Sequence, residues 1–185
     1  MLRRKPISIS LSIVIPLFNE AENVKTLVYK IHEVFFSYQF PWELILVDDG
    51  SSDGTLEKLL HIKKSYGEHL NIVALQRNFG QTAAMQAGID AARGGLIATL
   101  DGDLQNDPKD IPSLINHLIK NNYDVVSGWR KKRKDSFFKK FVSRGAHFLR
   151  SLMISDGIHD SGCSLKIYKK ECFKGINLFG EMHRF

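Results

Sequence analysis

Short apolar runs alternate with helix-length amphipathic stretches along most of this chain, and several of the runs stop abruptly at acidic residues. The runs at 11–17, 43–48, 71–76, 96–100 and 124–128 have the length and β-branched content of strands. Between them lie four helical stretches. The first runs from about Ala21 to Tyr38, with Val24, Leu27, Val28 and Ile31 on its apolar face and Pro41 as its breaker. Asn19 followed by Glu22 reads as a capping box for it. The second helix follows the polar loop 48–55. The third spans Gln81 to Ala92 and ends at Gly94-Gly95, and the fourth runs from near Pro112 to near Asn121. Such alternation with short links predicts a single α/β domain with a mostly parallel central sheet flanked by helices. Open sheets of that kind bind ligands at the carboxyl ends of their strands. Three polar clusters fall there: Phe18-Asn19-Glu20, Asp48-Asp49 and Asp101-Gly102-Asp103.

The third cluster carries the chemistry. Residues i and i+2 of an extended chain face one side, so Asp101 and Asp103 can converge on one hard cation. The plainer alternative is a solvated Asp-Gly turn. Acidic clusters on one rim weigh against it, because an isolated turn does not explain Glu20, Asp48 and Asp49. A rim of carboxylates repels anions unless a metal sits on it, and a divalent ion bridged to a diphosphate resolves that conflict. Other nucleotide chemistries are disfavoured. No Gly-x-Gly-x-x-Gly follows the first strand, and the chain has no Gly-x-x-x-x-Gly-Lys-Ser/Thr or His-Glu-x-x-His.

At 185 residues the chain is expected to form one domain, 1–185. Cys163 and Cys172 form no Cys-x-x-Cys pair, so neither a disulfide framework nor a zinc site is expected and a reducing setting is the default. No apolar run approaches the roughly 20 residues needed to span a bilayer. The basic start, Met1 to Pro6, lacks the marks of a signal peptide. The chain stops at Phe185 without a turn or polar tail, which suggests a catalytic domain truncated at its C-terminus with a membrane segment missing. The formal charge of +6 is local: residues 130–150 hold nine Lys or Arg against one Asp, leaving the remainder about −2.

Four stretches, in order, resemble family 2 glycosyltransferases: Ile13-Val-Ile-Pro-Leu-Phe-Asn-Glu20, Val47-Asp-Asp-Gly-Ser-Ser-Asp-Gly-Thr55, Arg77-Asn-Phe-Gly-Gln81 and Thr99-Leu-Asp-Gly-Asp-Leu-Gln105. The last, with Pro108 after it, is most similar to the polyprenyl-phosphate branch, which includes dolichol-phosphate mannose synthases and bacterial undecaprenyl-phosphate glycosyltransferases. The resemblance implies a Rossmann-like nucleotide-sugar-binding domain of the glycosyltransferase A type. It implies that Pro16, Phe18 and Glu20 line the nucleotide pocket, that Asp48 or Asp49 (Asp49 preferred) contacts the base, and that Arg77 assists. Asp101, Asp103 and Gln105 would hold Mg2+ or Mn2+ and the donor diphosphate, with Asp103 in a catalytic role. Asp160, in His159-Asp-Ser-Gly-Cys-Ser-Leu-Lys-Ile-Tyr168, matches an acidic position near the acceptor and is the candidate base. Arg130 and Arg144 match positions that bind the acceptor phosphate.

The implied reaction is inverting transfer of a sugar from a nucleotide-diphosphate sugar to a polyprenyl phosphate at the cytoplasmic membrane face, for cell-envelope or surface glycan modification. The alternatives are a family 2 transferase acting on a saccharide hydroxyl, and a catalytically silent nucleotide-sugar or membrane-binding module. The basic amphipathic segment 130–153 bears on the partner. Phe138, Phe141, Val142, Phe148, Leu149 and Leu152 recur at helical spacing, with Lys139, Lys140, Arg144 and Arg150 opposite. Such a helix can lie on an anionic membrane surface, or it can pack its apolar stripe on its own sheet. No nucleic-acid module is recognisable, so nucleic acid is not an expected partner. A homo-oligomer is compatible with these features. This fragment is expected to be soluble or peripheral, and the full-length protein membrane-anchored.

Overall fold

The computed structural model describes residues 10–129 and 163–180. Within them the sheet is built from β1 (Leu11–Leu17), β2 (Trp42–Asp48), β3 (Leu70–Ala74), β4 (Leu96–Thr99), β5 (Val125–Ser127) and β6 (Lys166–Lys169). The helices are α1 (Val24–Phe35), α2 (Thr55–Tyr66), α3 (Gln81–Ala91) and α4 (Ile111–Lys120). The sheet order is β3-β2-β1-β4-β6-β5. β1 to β4 pair in parallel, and β6 runs antiparallel to both of its neighbours. The predicted mostly parallel α/β sheet is thus present. β6 lies between β4 and β5, so its amino end joins the carboxyl ends of the other strands.

Every residue of β1 is buried because helices cover both faces of the sheet. Alternate residues divide between two cores. Leu11, Ile13, Ile15 and Leu17 pack with Val24, Leu27, Ile31 and Phe35 of α1, Leu59 of α2, and Ile111, Ile115 and Leu118 of α4. Val14, Ile45, Val47 and Ile97 face Ala84, Met85 and Ile89 of α3. The expected capping box is not formed. Asn23 occupies the N-cap of α1 without a side-chain cap, and Asn19 adopts a left-handed φ of 55°. Nor does a left-handed glycine end α3: Ala92 caps it in extended conformation, and Gly94 donates its amide to Ser12 Oγ at 2.8 Å.

The opposite, amino end of the sheet is locked by a buried polar cluster. Glu43 Oε1 accepts from Ser12 Oγ (2.7 Å) and the Arg93 amide (2.8 Å). Its Oε2 accepts from Asn71 Nδ2 (3.0 Å) and from Arg93 Nε (3.0 Å) and Nη2 (2.8 Å). Burial alone would raise the Glu43 pKa, but these hydrogen bonds and the Arg93 charge outweigh it and hold the carboxyl below its usual range. A depressed folded pKa adds stability above the unfolded value of about 4.3. That contribution is lost as pH falls through the folded pKa. Glu43→Gln should therefore lower the melting temperature at pH 7 and flatten its decline between pH 5 and pH 3, as read by thermal unfolding across that range.

Candidate active site

The loops after β1 and β2 are zipped together. The Asn19 amide donates to Ser51 Oγ at 2.9 Å, and the Ser52 amide donates back to Asn19 Oδ1 at 2.9 Å. The Glu20 amide reaches Thr55 Oγ1 (3.0 Å), and the Ala21 amide reaches Asp53 Oδ2 (3.0 Å). Hydrogen bonds, first from the Thr55 hydroxyl and then from the Ala21 and Thr55 amides, hold the Asp53 carboxyl below its ordinary pKa. The positive φ of Asn19 follows from this exchange. Asparagine tolerates that conformation, and its amide and side chain both engage the neighbouring loop.

Asp49 grips a third loop. Its Oδ1 accepts from the Phe79 amide (2.8 Å) and its Oδ2 from the Gly80 amide (2.9 Å). This places the start of α3 against the end of β2. Asp48, next in the chain, is equally buried, and its Oδ2 accepts from the Ser51 amide at 3.3 Å. Its Oδ1 is buried without a hydrogen-bond partner among the described residues.

Beyond β4 the chain turns sharply. Gly102 sits where a Cβ would lie 2.3 Å from Leu17 Cδ2, so this position requires glycine unless Leu17 moves. Leu104 adopts a left-handed φ of 61°, which is uncommon for a leucine. Gln81 Nε2 donates to Asp101 Oδ1 at 2.8 Å, and the Gln105 amide donates to Asp103 Oδ1 at 3.1 Å. Asn106, nearly buried, ties the loop to the amino end of β6 through Nδ2 to Ser164 Oγ at 2.8 Å.

These loops enclose a cleft of about 330 Å³ lined by Pro16, Leu17, Phe18, Glu20, Asp49, Asn78, Gly80, Gln81, Asp101, Gly102 and Asp103. Of the residues singled out in the sequence, Pro16, Phe18, Glu20, Asp49, Asp101 and Asp103 meet there. Asp48, Arg77 and Gln105 are not among its walls. The Arg77 guanidinium instead stacks over the Phe79 ring, 4.9 Å from its centroid. Asp160, Arg130, Arg144 and the whole basic segment 130–153 lie outside the described residues. Gln81, Asn78 and Gly80 were not singled out as site residues. The signal for them was the Arg77–Gln81 stretch opening a helix.

Asp101 and Asp103 fit a hard divalent cation. Both line one cleft, each has one oxygen engaged by a neutral N–H donor, and no cation offsets their charge through a salt bridge among the described residues. No group of three or more His, Cys, Asp or Glu that could hold a metal is present among the described residues. An ion there would take its remaining oxygens from a phosphate ligand and water, the habit of Mg2+-like ions. Among the described residues no helix is long and apolar enough to cross a membrane.

An open α/β sheet with this cleft on its carboxyl rim is the architecture of glycosyltransferase A-type domains. A mannosyltransferase from Pyrobaculum calidifontis, solved with GDP-Man and Mn2+, superposes with a TM-score of 0.67 at 18% identity over 92% of this chain and 47% of that one. Glucosyl-3-phosphoglycerate synthase from Mycobacterium tuberculosis, solved with Mn2+, UDP-Glc and phosphoglyceric acid, gives 0.71 at 16% identity over 90% and 59%. The chain belongs to Glycosyl transferase family 2, whose profile matches residues 12–176. It is 54% identical over 179 residues to a dodecaprenyl-phosphate galacturonate synthase from Rhizobium johnstonii, covering 96% of this chain and 53% of the relative. It is 38% identical over 161 residues to an undecaprenyl-phosphate 4-deoxy-4-formamido-L-arabinose transferase from Pectobacterium carotovorum, covering 87% and 49%. The chain thus spans about half the length of these curated relatives.

Proposed function

We propose that this domain transfers a sugar, with inversion, from a nucleotide-diphosphate sugar to a polyprenyl phosphate at the cytoplasmic membrane face. The observation that carries the reading is the convergence of Asp101 and Asp103 with Glu20, Asp49 and Phe18 in one cleft. The names of the relatives support the acceptor class, and the first of them puts galacturonate at the head of the list of sugars to try.

In this reading Pro16, Phe18 and Glu20 form the walls for the nucleoside. Asp49 remains able to accept from a base N–H, because each carboxylate oxygen has two acceptor sites and Phe79 and Gly80 use one apiece. Asp101 and Asp103 hold Mg2+ or Mn2+, with Gln105 adjoining. The ion, when bound, neutralises the diphosphate and stabilises it as a leaving group. The acceptor phosphate oxygen attacks the anomeric carbon. The bond from that carbon to the diphosphate breaks, its electron pair leaves with the nucleotide, and the transition state has oxocarbenium character. A phosphate monoester has a second pKa near about 6 and is largely ionised at neutral pH. It therefore needs no strong base, and Asp160 is assigned no proton transfer. The protein's contribution is positioning and the shielding of two anions, with Arg130 and Arg144 at the acceptor phosphate. The basic segment 130–153 faces the anionic membrane.

The test is transfer of label from a panel of nucleotide sugars, UDP-galacturonate included, to undecaprenyl phosphate. The full-length protein is assayed in membranes with and without Mn2+ or Mg2+. Metal-dependent formation of a lipid-linked sugar is expected. Label appearing only on saccharide hydroxyls, or no metal-dependent transfer from any donor, overturns the reading.

A further inference from the structure

Asp101 and Asp103 lie on one loop but are restrained differently. Asp103 is met by the Gln105 amide two residues away, a contact within its own loop. Asp101 is met from another element, by Gln81 at the first position of α3. Gln81 is well placed for this. The two residues before it are clamped to Asp49, and α3 is packed on β1 and β2 through Ala84, Met85 and Ile89. A side chain anchored to the β2 rim thereby reaches across the cleft to the end of β4. We infer that Gln81 is a positioning residue. It fixes the Asp101 carboxylate by its Oδ1, leaving Oδ2 for the divalent cation that the proposed function requires, and the inference rests on that reading.

The chemistry of the side chain suits this task. A lysine or arginine would also orient Asp101, but its charge would cancel half the charge of the acidic pair. A neutral amide orients the carboxylate and leaves the charge of the pair intact. Two effects oppose each other when such a donor is removed. The oxygen released from the amide becomes free for a cation, which favours binding, and the carboxylate's rotation is freed, which disfavours it. Losses of about 10- to 100-fold on removing the hydrogen-bond partners of metal ligands show that orientation dominates.

Gln81→Met keeps the side-chain length and a good helix former while removing the donor. Gln81→Ala is the second variant, should methionine repack the cleft. Mn2+ binding is measured by the electron paramagnetic resonance signal of free Mn2+, with saturating UDP or GDP, whichever the wild-type protein binds. Binding of the same nucleotide is measured separately without metal. Both variants should bind Mn2+ about tenfold more weakly, with metal-free nucleotide affinity and melting temperature unchanged. Mn2+ affinity within twofold of wild type in both variants overturns the inference. So does an equal fall in metal-free nucleotide affinity, which would make Gln81 a direct contact of the nucleotide and not a support for Asp101. A wild-type protein that binds no Mn2+ with either nucleotide refutes the proposed function itself, so the two failures are separable.

Discussion

Asp101→Asn combined with Asp103→Asn is expected to lower sugar transfer about a thousandfold or more while leaving the fold in place. A metal acting on a departing diphosphate supplies several kcal/mol of transition-state stabilisation, and each factor of ten in rate corresponds to about 1.4 kcal/mol. Asparagine retains an oxygen for the Gln81 and Gln105 donors, so the loop keeps its hydrogen bonds. It also removes the repulsion between two carboxylates in one cleft. Stability should consequently hold or rise slightly, and the melting temperature measures that alongside the label assay. The single variants should each fall nearly as far as the pair, because two ligands of one ion act as a unit. Turnover within tenfold of wild type, with the fold intact, would remove the acidic pair from the chemistry.

The same loop shows where sequence reasoning reaches its limit. Strand ends just before Glu20, Asp49 and Asp101 were legible because apolar runs stop abruptly there, and parallel topology brings such ends together. The position of β6 was not legible. Periodicity carries no direction, and a strand that follows residues 130–162 can return on either side of β5. The choice between Asp48 and Asp49 was open for a related reason. Neighbours on a strand face opposite sides, so one of the two lines the cleft and the other lies beside it. Asn19 followed by Glu22 satisfies a capping pattern, yet the tertiary exchange with Ser51 and Ser52 prevails over it. Gln81 leaves no periodic trace at all. Its contact with Asp101 spans 20 residues and exists only once α3 is clamped to Asp49.

That clamp yields the second large effect. Gly50→Ala is expected to cost about 3 kcal/mol and to lower the melting temperature by roughly 6–12 °C, with nucleotide affinity down at least tenfold. Gly50 has a φ of +66°, and an added Cβ would lie 2.3 Å from Arg77 C, 2.5 Å from Arg77 Cα and 2.6 Å from Asn78 N. Those are backbone atoms, so no rotamer change relieves the contact. The loop 77–80 must back away from the rim, and it carries Phe79 and Gly80 off Asp49 and Gln81 off Asp101. Gly54 provides the control. It lies in the same loop with a φ of +89°, but its nearest new contact would be Glu57 Oε2 at 3.8 Å. Gly54→Ala therefore bears the left-handed penalty alone, about 1–2 kcal/mol, and should leave the nucleotide cleft unmoved. The two substitutions share a sign of φ and a loop and differ in crowding. Equal losses of nucleotide affinity in both would mean that backbone strain in the 48–55 loop, and not the contact of Gly50 with Arg77, sets the shape of the cleft.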